Sequence, residues 1–526
     1  MRLRSNAIYS WPIYPLLFGL YIPLNYFTHN QALYGFSDTV RSLIIAPLLV
    51  ACLCLVVWLV IRRVHFAALV TTLFTGYAVY FCYTPLVEVP VIIVAITIVW
   101  LTCRNNIGSN CSRIINVMML AVLMQPLIAI ASFKQAIQTD HVDPLGTSPF
   151  SSIRIDQPVD KATLPTIVHI VLDAYSSNAT LRDIFGYDNT PFTDELTDIG
   201  FIVGQDVRTP YNQTLLAMSS IFLGEYFDSG QGPLSEKNSD QLRGTLGTMV
   251  TESVVQRKLR ELDYNYLFVE TGYQFLRRPS FSIPSYPGKL PDKGNPYEAG
   301  LLSLIGILPP PKESEAIKDR NENTYLRNAL TTDFYLSVET PFLLYEHVLA
   351  PHPPFIIDRE GEDTSQWQEF NSIKAGNAAT EGKKELIEGY KQGYLEKLRY
   401  TNAALLKQTR KMISEIPGPK IIMVHGDHGS GAHLNDRDPN GPGNTCLSER
   451  YNTFLAIYSN DPIIRNRLMS LKSERFNLIN LYRLIFDMYF ETDIGLLKDQ
   501  SFFASWKKPQ QLNLLDEQQI NAECSI

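Results

Sequence analysis

The chain has 526 residues, of which 45% are hydrophobic and 19% are charged, and its formal net charge at pH 7 is −7. This length favours two structural units over one ordinary domain. The negative net charge and the lack of a basic run exclude nucleic-acid-binding classes, because phosphate backbones require clustered lysine and arginine. The seven cysteines contain no C-x-x-C pair and no zinc-finger spacing.

Apolar residues are concentrated in residues 1–133, where seven arginines face only two acids, Asp38 and Glu88. This segment contains five apolar stretches, each near the length that crosses a hydrocarbon core at about 1.5 Å per residue. They cover about 9–28, 42–61, 66–83, 89–103 and 115–133. The pattern predicts an α-helical transmembrane anchor of about five spans, with a buried helical bundle as the alternative.

The charges in this segment alternate between successive loops. The loops with cations hold Arg2 and Arg4, then Arg62, Arg63 and His65, then Arg104 and Arg113; the alternate loops hold Asp38 with Arg41, and Glu88. Cytoplasmic loops carry an excess of basic residues, so the N-terminus is predicted to be cytoplasmic and the chain beyond residue 134 to lie outside. A cleaved signal is not expected, because no small-residue cleavage site follows the first span and further spans come after it.

The remainder is predicted to form a connecting arm and an α/β domain. Residues 134–164 mix Pro, Ser, Asp and Gly without a sustained period, which is typical of an arm. In residues 165–526, short apolar runs alternate with helical patterns, and this alternation indicates a mainly parallel sheet with helices on both faces. The runs predicted as strands are 166–172, 266–270, 341–348, 420–424 and 454–458, and a long helix is predicted over 384–415.

Polar residues follow two of these predicted strands. Asp173 follows the first, and His425, Asp427 and His428 follow the fourth in the sequence HGDHGSG. Ligands bind beyond the carboxyl ends of strands in such sheets, so the two groups are expected to meet there. A divalent cation would compensate a carboxylate beside a buried strand, whereas helix capping is the simpler explanation for either acid alone.

A candidate nucleophile lies in the sequence RTPYNQTLLAMSSIFLG, residues 208–224. Thr214 stands directly before an apolar run of helical character, where backbone N–H groups and the helix dipole favour an anion. An ordinary N-cap is the alternative role for this threonine. Asn212 is a candidate donor to a non-bridging substrate oxygen, or a turn residue.

Taken together, these motifs resemble the sulfatase-like branch of the alkaline phosphatase superfamily. The matching sequences, in chain order, are IVLDAY, NQTLLAMSS, HVLAPHPPF, HGDHG and YNTFLAIY, and they span about 165–495. A multi-span anchor followed by such a domain also resembles lipoteichoic acid synthases and lipid A phosphoethanolamine transferases. The resemblance implies an alkaline-phosphatase-like α/β domain outside the bacterial inner membrane.

The resemblance implies a metal site and a nucleophile. Asp173, Asp427 and His428 would bind one divalent metal ion, and Thr214 would complete its ligand set and supply the attacking oxygen. Coordination activates a hydroxyl, and the same cation neutralises charge on a phosphoryl oxygen. The mixed oxygen and nitrogen donors suit Zn²⁺ or Mn²⁺ without choosing between them.

The remaining histidines are candidates for substrate contacts. His352, in APHPPF, occupies the position where family members place a substrate-binding or proton-transferring histidine, and we predict a general acid there, with a second metal site as the alternative. His347, His425 and His433 are candidate substrate-binding residues. His169, inside the first predicted strand, is expected to be a hydrogen-bonded core residue.

Two departures from the family pattern narrow the chemistry. No Cys-x-Pro-x-Arg or Ser-x-Pro-x-Arg sequence occurs near Thr214, so sulfate ester hydrolysis through formylglycine is not expected. Asp173 stands where the two named transferase groups typically carry Glu. Ala174 follows where two-metal relatives often have a second Asp, which favours a single metal ion.

The resulting hypothesis is a multi-pass enzyme of the bacterial inner membrane with a periplasmic or extracellular catalytic domain. Thr214 would take a phosphoethanolamine- or phosphoglycerol-like group from a membrane lipid donor and pass it to an envelope lipid or glycan acceptor. The alternatives are a phosphatase or phosphodiesterase that uses water, and an inactive domain that binds envelope polysaccharide. Cys446 and Cys524 are expected either to form a disulfide in the exported domain or to remain free thiols.

Overall fold

The computed structural model describes residues 11–29, 36–82, 88–102, 109–137, 143, 146–153, 161–227, 239–271, 273, 275–276, 278–279, 281–284, 326–370, 384–436 and 441–524. These residues form two compact units, one ending at residue 137 and the other beginning at residue 143. The division separates the apolar segment from the rest of the chain. Arg2, Arg4 and Arg104, which contribute to the predicted orientation, and part of the predicted arm lie outside the described residues.

The N-terminal unit consists of apolar helices at the five predicted stretches. They are α1 (Tyr14–His29), α2 (Phe36–Ile61), α3 (Val64–Cys82), α4 (Glu88–Thr102) and α5 (Ser109–Ile137). Within the described residues, two stretches are long and apolar enough to cross a membrane, Val40–Ile61 and Asn110–Ile128. The anchor of five spans therefore stays a prediction.

One polar contact shows how this apolar unit satisfies the start of a helix. The side-chain oxygen of Asn116, on α5, accepts hydrogen bonds from the backbone N–H groups of Ile13 at 3.1 Å and Tyr14 at 2.9 Å. The amide nitrogen of Asn116 donates to the Trp11 carbonyl at 2.8 Å. A helix terminus in an apolar environment needs such a partner, because water is not available there.

The second unit is an α/β domain. Its strands are β1 (Thr166–Leu172), β2 (Ile202–Val203), β3 (Asp206–Arg208), β4 (Asn265–Val269), β5 (Ile283–Pro284), β6 (Phe342–Val348), β7 (Lys420–Gly426), β8 (Leu455–Ser459), β9 (Arg475–Asn477), β10 (Ser501–Ser505) and β11 (Lys508–Leu515). Its helices are α6 (Pro149–Ser152), α7 (Asn178–Asp183), α8 (Thr190–Asp198), α9 (Thr214–Leu223), α10 (Ser239–Thr251), α11 (Val254–Glu261), α12 (Lys384–Glu415), α13 (Leu447–Tyr451), α14 (Pro462–Arg467), α15 (Leu481–Tyr489) and α16 (Glu517–Asn521).

Seven strands form the main sheet in the order β2-β8-β7-β1-β6-β4-β5. The inner strand β1 pairs in parallel with both β6 and β7, and β4 is parallel to β5 and β6. Every residue of β1, β6 and β7 is buried, as expected for strands covered on both faces. The predicted mainly parallel sheet is therefore confirmed.

Strand β8, which lies beside β7, runs in the opposite direction. Strand β8 is antiparallel to both β7 and β2, so the sheet is mixed. A parallel return needs a crossover of a dozen or more residues, usually a helix packed on the sheet. Between β7 and β8 the described chain has only the five-residue helix α13 and the loop that carries the predicted metal ligands.

A buried carboxyl group on β6 is expected to make stability depend on pH. Glu346 is fully buried, and its Oε2 accepts a hydrogen bond from Gln408 Nε2 at 3.0 Å. Burial raises the pKa of Glu346 to about 8, although the Gln408 hydrogen bond opposes the rise. The native state thus retains a proton that the unfolded chain loses above about pH 4.5. The stabilisation is complete below that pH and is lost as pH rises toward 8.

We expect Glu346→Gln, whose side chain is neutral at every pH, to remove most of the decrease in stability between about pH 4.5 and pH 8. Near pH 8 the variant should be about 2 kcal/mol more stable than the unmodified protein, with a smaller difference near pH 4.5. Melting temperatures measured across this range test the expectation. Glu339→Gln, at an exposed position just before the same strand, is the matched control. Equal pH slopes in the unmodified protein and Glu346→Gln would contradict it.

Candidate metal centre

The two predicted acidic strand ends lie side by side. In the parallel register of β1 and β7, Leu172 pairs with Gly426, so Asp173 and Asp427 continue from the same edge of the sheet. Strand β6 lies on the other side of β1, and its register pairs Val171 with His347. The order of these three strands therefore brings two carboxylates and an imidazole together.

The side chains of these residues form a compact buried group. The candidate ligand atoms of Asp173, His347 and Asp427 all lie within 4.8 Å of one another. His347 Nε2 is 3.5 Å from Asp173 Oδ2, and His428 Nε2 is 3.3 Å from Asp427 Oδ2. His428 Nε2 is also 3.9 Å from Asp173 Oδ1. The separations are short enough for one ion to contact donors from several of these residues.

The group satisfies a direct test for a metal ion. Within the described part of the chain, Asp173 Oδ1, Asp427 Oδ2 and His347 Nε2 are buried and have no hydrogen-bond partner. Leaving a buried polar atom unpaired costs about 1–3 kcal/mol, and more for charged groups. A divalent cation would satisfy all three atoms, and carboxylate oxygen with imidazole nitrogen is a donor set that Zn²⁺ and Mn²⁺ accept. The residues present therefore fit the predicted ion.

Electrostatics also favour a cation at this position. Burial, followed by the charge of Asp173, raises the pKa of Asp427 to about 7. Burial opposes ionisation of Asp173 as well, but His352 and His347 outweigh it and lower the pKa of that carboxyl. Without a nearby positive charge, ionisation of one of these two buried carboxyl groups disfavours ionisation of the other. A bound cation would allow both to ionise.

Thr214 lies next to these donors. Its Oγ1 is 3.1 Å from His428 Nε2. The ring orientation of His428 is defined by Nδ1, which donates to the Gly429 carbonyl at 3.0 Å and leaves Nε2 without a proton in the neutral ring. Thr214 is the first residue of α9, whose N-cap is Gln213, and the structure shows no side-chain cap there. The hydroxyl therefore faces the candidate ligands instead of capping its helix.

His352 lies on the loop after β6, close to Asp173. Its backbone N–H donates to the Asp173 carbonyl at 3.1 Å, and its Nδ1 donates to the Pro353 carbonyl at 2.6 Å. Lys397 Nζ donates to the carbonyl of His352 at 2.7 Å and holds the same loop. Burial lowers the pKa of His352, although Asp173 opposes this effect. As a general acid, the ring would first have to take up a proton on Nε2.

His433 is held by a carboxylate that sequence reasoning missed. Its Nδ1 donates to Glu449 Oε2 at 2.8 Å, while its Nε2 is buried and unpaired within the described residues. Glu449 also accepts hydrogen bonds from Ser430 Oγ at 2.6 Å and from the Ala432 N–H at 2.7 Å. The carboxylate therefore orders the loop from Ser430 to His433. Its only signal in the sequence is its place just before the YNTFLAIY motif.

The structure places two of the predicted substrate contacts, His425 and Asn212, in hydrogen bonds within the domain. Both ring nitrogens of His425 are used inside the domain, one against His169 and one against the Gly426 carbonyl, because this residue belongs to a strand that is buried on both faces. Asn212 Nδ2 donates to the Ala504 carbonyl at 3.0 Å, and Asn212 Oδ1 accepts from the Ala504 N–H at 2.8 Å. The amide of Asn212 thus continues the backbone pairing of β10.

Arg450, a second residue missed from sequence, joins the nucleophile loop to the ligand loop. Its Nε and Nη2 both donate to the Asn212 carbonyl, at 2.9 and 2.7 Å, and its Nη1 donates to the Gly429 carbonyl at 2.9 Å. Its Nη2 is also 3.0 Å from His428 Nε2. The buried guanidinium therefore ties the chain two residues before Thr214 to the chain just after His428.

We expect Arg450→Lys to lower the free energy of unfolding by about 2–4 kcal/mol, because an ammonium cannot reproduce these fork-shaped contacts and leaves buried carbonyls unpaired. Chemical denaturation of the two proteins measures the difference. Arg410→Lys, which alters an exposed pair with Glu195, is the control and should change stability by less than about 0.5 kcal/mol. Similar values for the two variants would contradict a joining role for Arg450.

The chain was also compared with known proteins. No family model matches it, and no curated protein matches it. The C-terminal periplasmic domain of EcEptC from Escherichia coli is 11% identical, with a TM-score of 0.40, and the alignment covers 69% of this chain and 95% of that one. The integral membrane lipooligosaccharide phosphoethanolamine transferase A from Neisseria meningitidis is 13% identical, with a TM-score of 0.35 and coverage of 71% and 67%.

A phosphonate monoester hydrolase of Agrobacterium radiobacter is 11% identical, with a TM-score of 0.35, and the alignment covers 65% of this chain and 80% of that one. The solved structures similar to this chain thus include both transferases and hydrolases.

Proposed function

We propose that this protein is a membrane-anchored, metal-dependent phosphotransferase that acts on the bacterial cell envelope. One observation carries the proposal. The Thr214 hydroxyl lies against His428, beside Asp173 Oδ1 and Asp427 Oδ2, which are buried and have no hydrogen-bond partner among the described residues. A hydroxyl at the start of a helix, next to donors for a cation, is the arrangement that phosphoryl transfer through a covalent intermediate requires.

Asp173, Asp427, His428 and Thr214 would hold the ion, with His347 Nε2 also within reach. When bound, a divalent cation lowers the pKa of a hydroxyl and neutralises charge on a phosphoryl oxygen. Thr214 Oγ1 loses its proton to solvent and attacks phosphorus, and the bond from phosphorus to the donor oxygen breaks. His352, once protonated, gives its proton to that leaving oxygen. An acceptor hydroxyl then gives its proton to His352 and attacks the phosphothreonine, and the bond from phosphorus to Oγ1 breaks and regenerates Thr214.

Features outside the site support a membrane and envelope location. Large apolar side chains are exposed on the N-terminal helices, including Val60 at 79% and Val117 at 67%, and such surfaces are typical of contact with lipid. Cys446 and Cys524 form a disulfide, the pairing expected in an exported domain. Tethering at the membrane would raise the effective concentration of a lipid donor. We propose phosphoethanolamine- or phosphoglycerol-like groups as the substituent.

The test is mass spectrometry of envelope lipids and glycans from cells that express the unmodified protein or Thr214→Ala at equal levels. A substituent present only with the unmodified protein would support transfer and identify the group. A phosphorylated species that disappears only with the unmodified protein would replace transfer with hydrolysis. Thr245→Ala, on the exposed side of α10, is the control and should match the unmodified protein. Identical envelopes in all three strains would refute the proposal.

A further inference from the structure

A chain of buried polar side chains lies in the sheet beside the candidate metal centre. Tyr482, on α15, contacts His169 of β1, with 2.8 Å between Tyr482 Oη and His169 Nδ1. His169 Nε2 is 2.7 Å from His425 Nε2 on the neighbouring strand β7. His425 Nδ1 is 2.9 Å from the Gly426 carbonyl oxygen. All three side chains are fully buried, and the proposed reaction uses none of them.

The contacts define the direction of each hydrogen bond. The Gly426 carbonyl can only accept, so His425 carries its proton on Nδ1 and its Nε2 is an acceptor. Only one proton fits between the two Nε2 atoms, which are 2.7 Å apart, and two uncharged rings satisfy every contact. His169 must then donate from Nε2 to His425 and accept the Tyr482 proton on Nδ1. Each ring nitrogen of His169 and His425 is therefore either a donor or an acceptor. The last donor, His425 Nδ1, contacts the carbonyl of the peptide bond that joins Gly426 to Asp427.

The backbone at this peptide has little freedom in other directions. The Gly426 N–H donates to the Phe454 carbonyl at 3.0 Å. A Cβ atom at Gly426 would lie 2.3 Å from Thr453 Oγ1 and 2.4 Å from the Tyr175 carbonyl oxygen, so no other residue fits without displacing its neighbours. The ring of His425 holds the carbonyl of the same residue, which belongs to the peptide bond with Asp427. The orientation of the following residue, Asp427, is therefore set from both sides.

The three polar side chains lie in a part of the core where apolar residues would also pack. His169 packs against Phe222 and Tyr345, with ring centroids 5.4 and 5.5 Å apart. Apolar residues would fill such a space, and each buried hydrogen bond contributes only about 0.5–1.5 kcal/mol net. Stability alone does not explain three polar side chains in series. Fully satisfied buried networks instead specify one orientation of the groups they contact.

We propose that Tyr482, His169 and His425 are positioning residues that hold the peptide before Asp427, so that the Asp427 carboxylate points at the other metal donors. The proposal rests on the metal site of the proposed function. Partners that orient metal ligands typically change metal affinity about 10–100-fold when they are removed. These three side chains would act in the same way, but they would orient the backbone next to Asp427 and not its carboxylate directly.

The test measures Zn²⁺ affinity by competition with a chelator, and the visible absorption of bound Co²⁺, on the purified full-length protein in detergent. We expect His169→Leu to weaken Zn²⁺ binding about 10–100-fold and to change the Co²⁺ spectrum. Tyr482→Phe, which removes only the first donor, should weaken binding about 3–10-fold. His169→Gln should stay within about 3-fold of the unmodified protein, because its amide can donate to His425 and accept from Tyr482.

Tyr266→Phe is the matched control. Tyr266 is a buried tyrosine on β4 of the same sheet, and its hydroxyl accepts a hydrogen bond from Gln256 Nε2 at 2.7 Å. It makes no hydrogen bond to the three proposed positioning residues, all of which the structure describes. Tyr266→Phe should lose about as much stability as Tyr482→Phe but keep the Zn²⁺ affinity and the Co²⁺ spectrum of the unmodified protein. The comparison separates the loss of one buried phenol hydrogen bond from the loss of orientation at Asp427.

Three outcomes would overturn the proposal. An unchanged Zn²⁺ affinity and Co²⁺ spectrum in Tyr482→Phe and His169→Leu would show that the chain does not orient the ligand. Equal losses in His169→Leu and His169→Gln would show that packing, and not hydrogen bonding, matters at this position. Failure of the unmodified protein to bind either metal would remove the proposed function together with this inference, whereas the first two outcomes leave the proposed function intact.

Discussion

Replacing Thr214 by alanine is expected to lower the rate of phospho-substituent transfer by at least about 10⁴-fold, because the change removes the oxygen that bonds to phosphorus. The fold should persist, since the Thr214 side chain does not cap α9. Thr214→Ser keeps the hydroxyl and should retain measurable transfer. Rates are measured with purified full-length protein on vesicles that contain labelled phosphatidylethanolamine or phosphatidylglycerol, and intact-protein mass spectrometry detects the phosphorylated enzyme.

Ser220→Ala is the control for this prediction. Ser220 is a buried hydroxyl on the same helix that donates to the Ala217 carbonyl at 2.8 Å, so its removal perturbs α9 without touching the candidate ligands. It should leave both the transfer rate and the covalent adduct in place. Thr214→Ala protein that still transfers the substituent, or an adduct located on another residue, would end the proposed mechanism.

Asp427→Asn is expected to weaken Zn²⁺ or Mn²⁺ binding by at least about 100-fold, because an amide oxygen cannot replace the charge of a carboxylate ligand. The unmodified protein should gain about 2.7 kcal/mol of stability at a free metal concentration about 100 times its Kd, and the variant should gain almost none. Without metal, the order of stability of the two proteins should reverse. Burial and then repulsion from Asp173 raise the pKa of Asp427, and the substitution removes both costs of ionisation, so the metal-free variant should be at least as stable as the unmodified protein.

Melting temperatures with added metal, and with a chelator, test both halves of this prediction. Glu346→Gln is a suitable control because it replaces another buried carboxyl group of the same sheet, on β6, which is next to His347 in sequence but hydrogen-bonded to Gln408 on α12. Its response to metal should equal that of the unmodified protein. An Asp427→Asn protein that is stabilised by metal to the same extent would show that Asp427 is not a ligand.

Much of the candidate site could be predicted from local sequence. The apolar runs before Asp173 and before Asp427 are dense enough to indicate buried strands, and parallel strands present their carboxyl ends at one edge. The strand ends are predicted from short-range information alone, namely the period of the apolar residues and the residue at which each pattern stops. The role of Thr214 as nucleophile was implied by the resemblance of the motifs to a known family, because its local pattern also fits an ordinary N-cap.

Other parts of the site depended on contacts that no local pattern reports. His347 joined Asp173 and Asp427 because β6 lies directly beside β1, and strand order is decided by packing across the whole sheet. Arg450 and Glu449 belong to a five-residue helix without a distinctive period. Their buried contacts with Asn212, Gly429 and His433 connect separate loops, so the sequence offered no reason to single them out.

By itself, the sequence determined the apolar N-terminal segment and the parallel α/β pattern, and its resemblance to a known family implied Asp173, Thr214, Asp427 and His428 as a candidate set. Only the tertiary structure decided the direction in which each polar group points. His425 and Asp427 are two residues apart, yet one pairs with His169 in the sheet and the other joins the metal donors. The period of a pattern reports which residues are buried, whereas hydrogen-bond partners are chosen by neighbours that are distant in the chain.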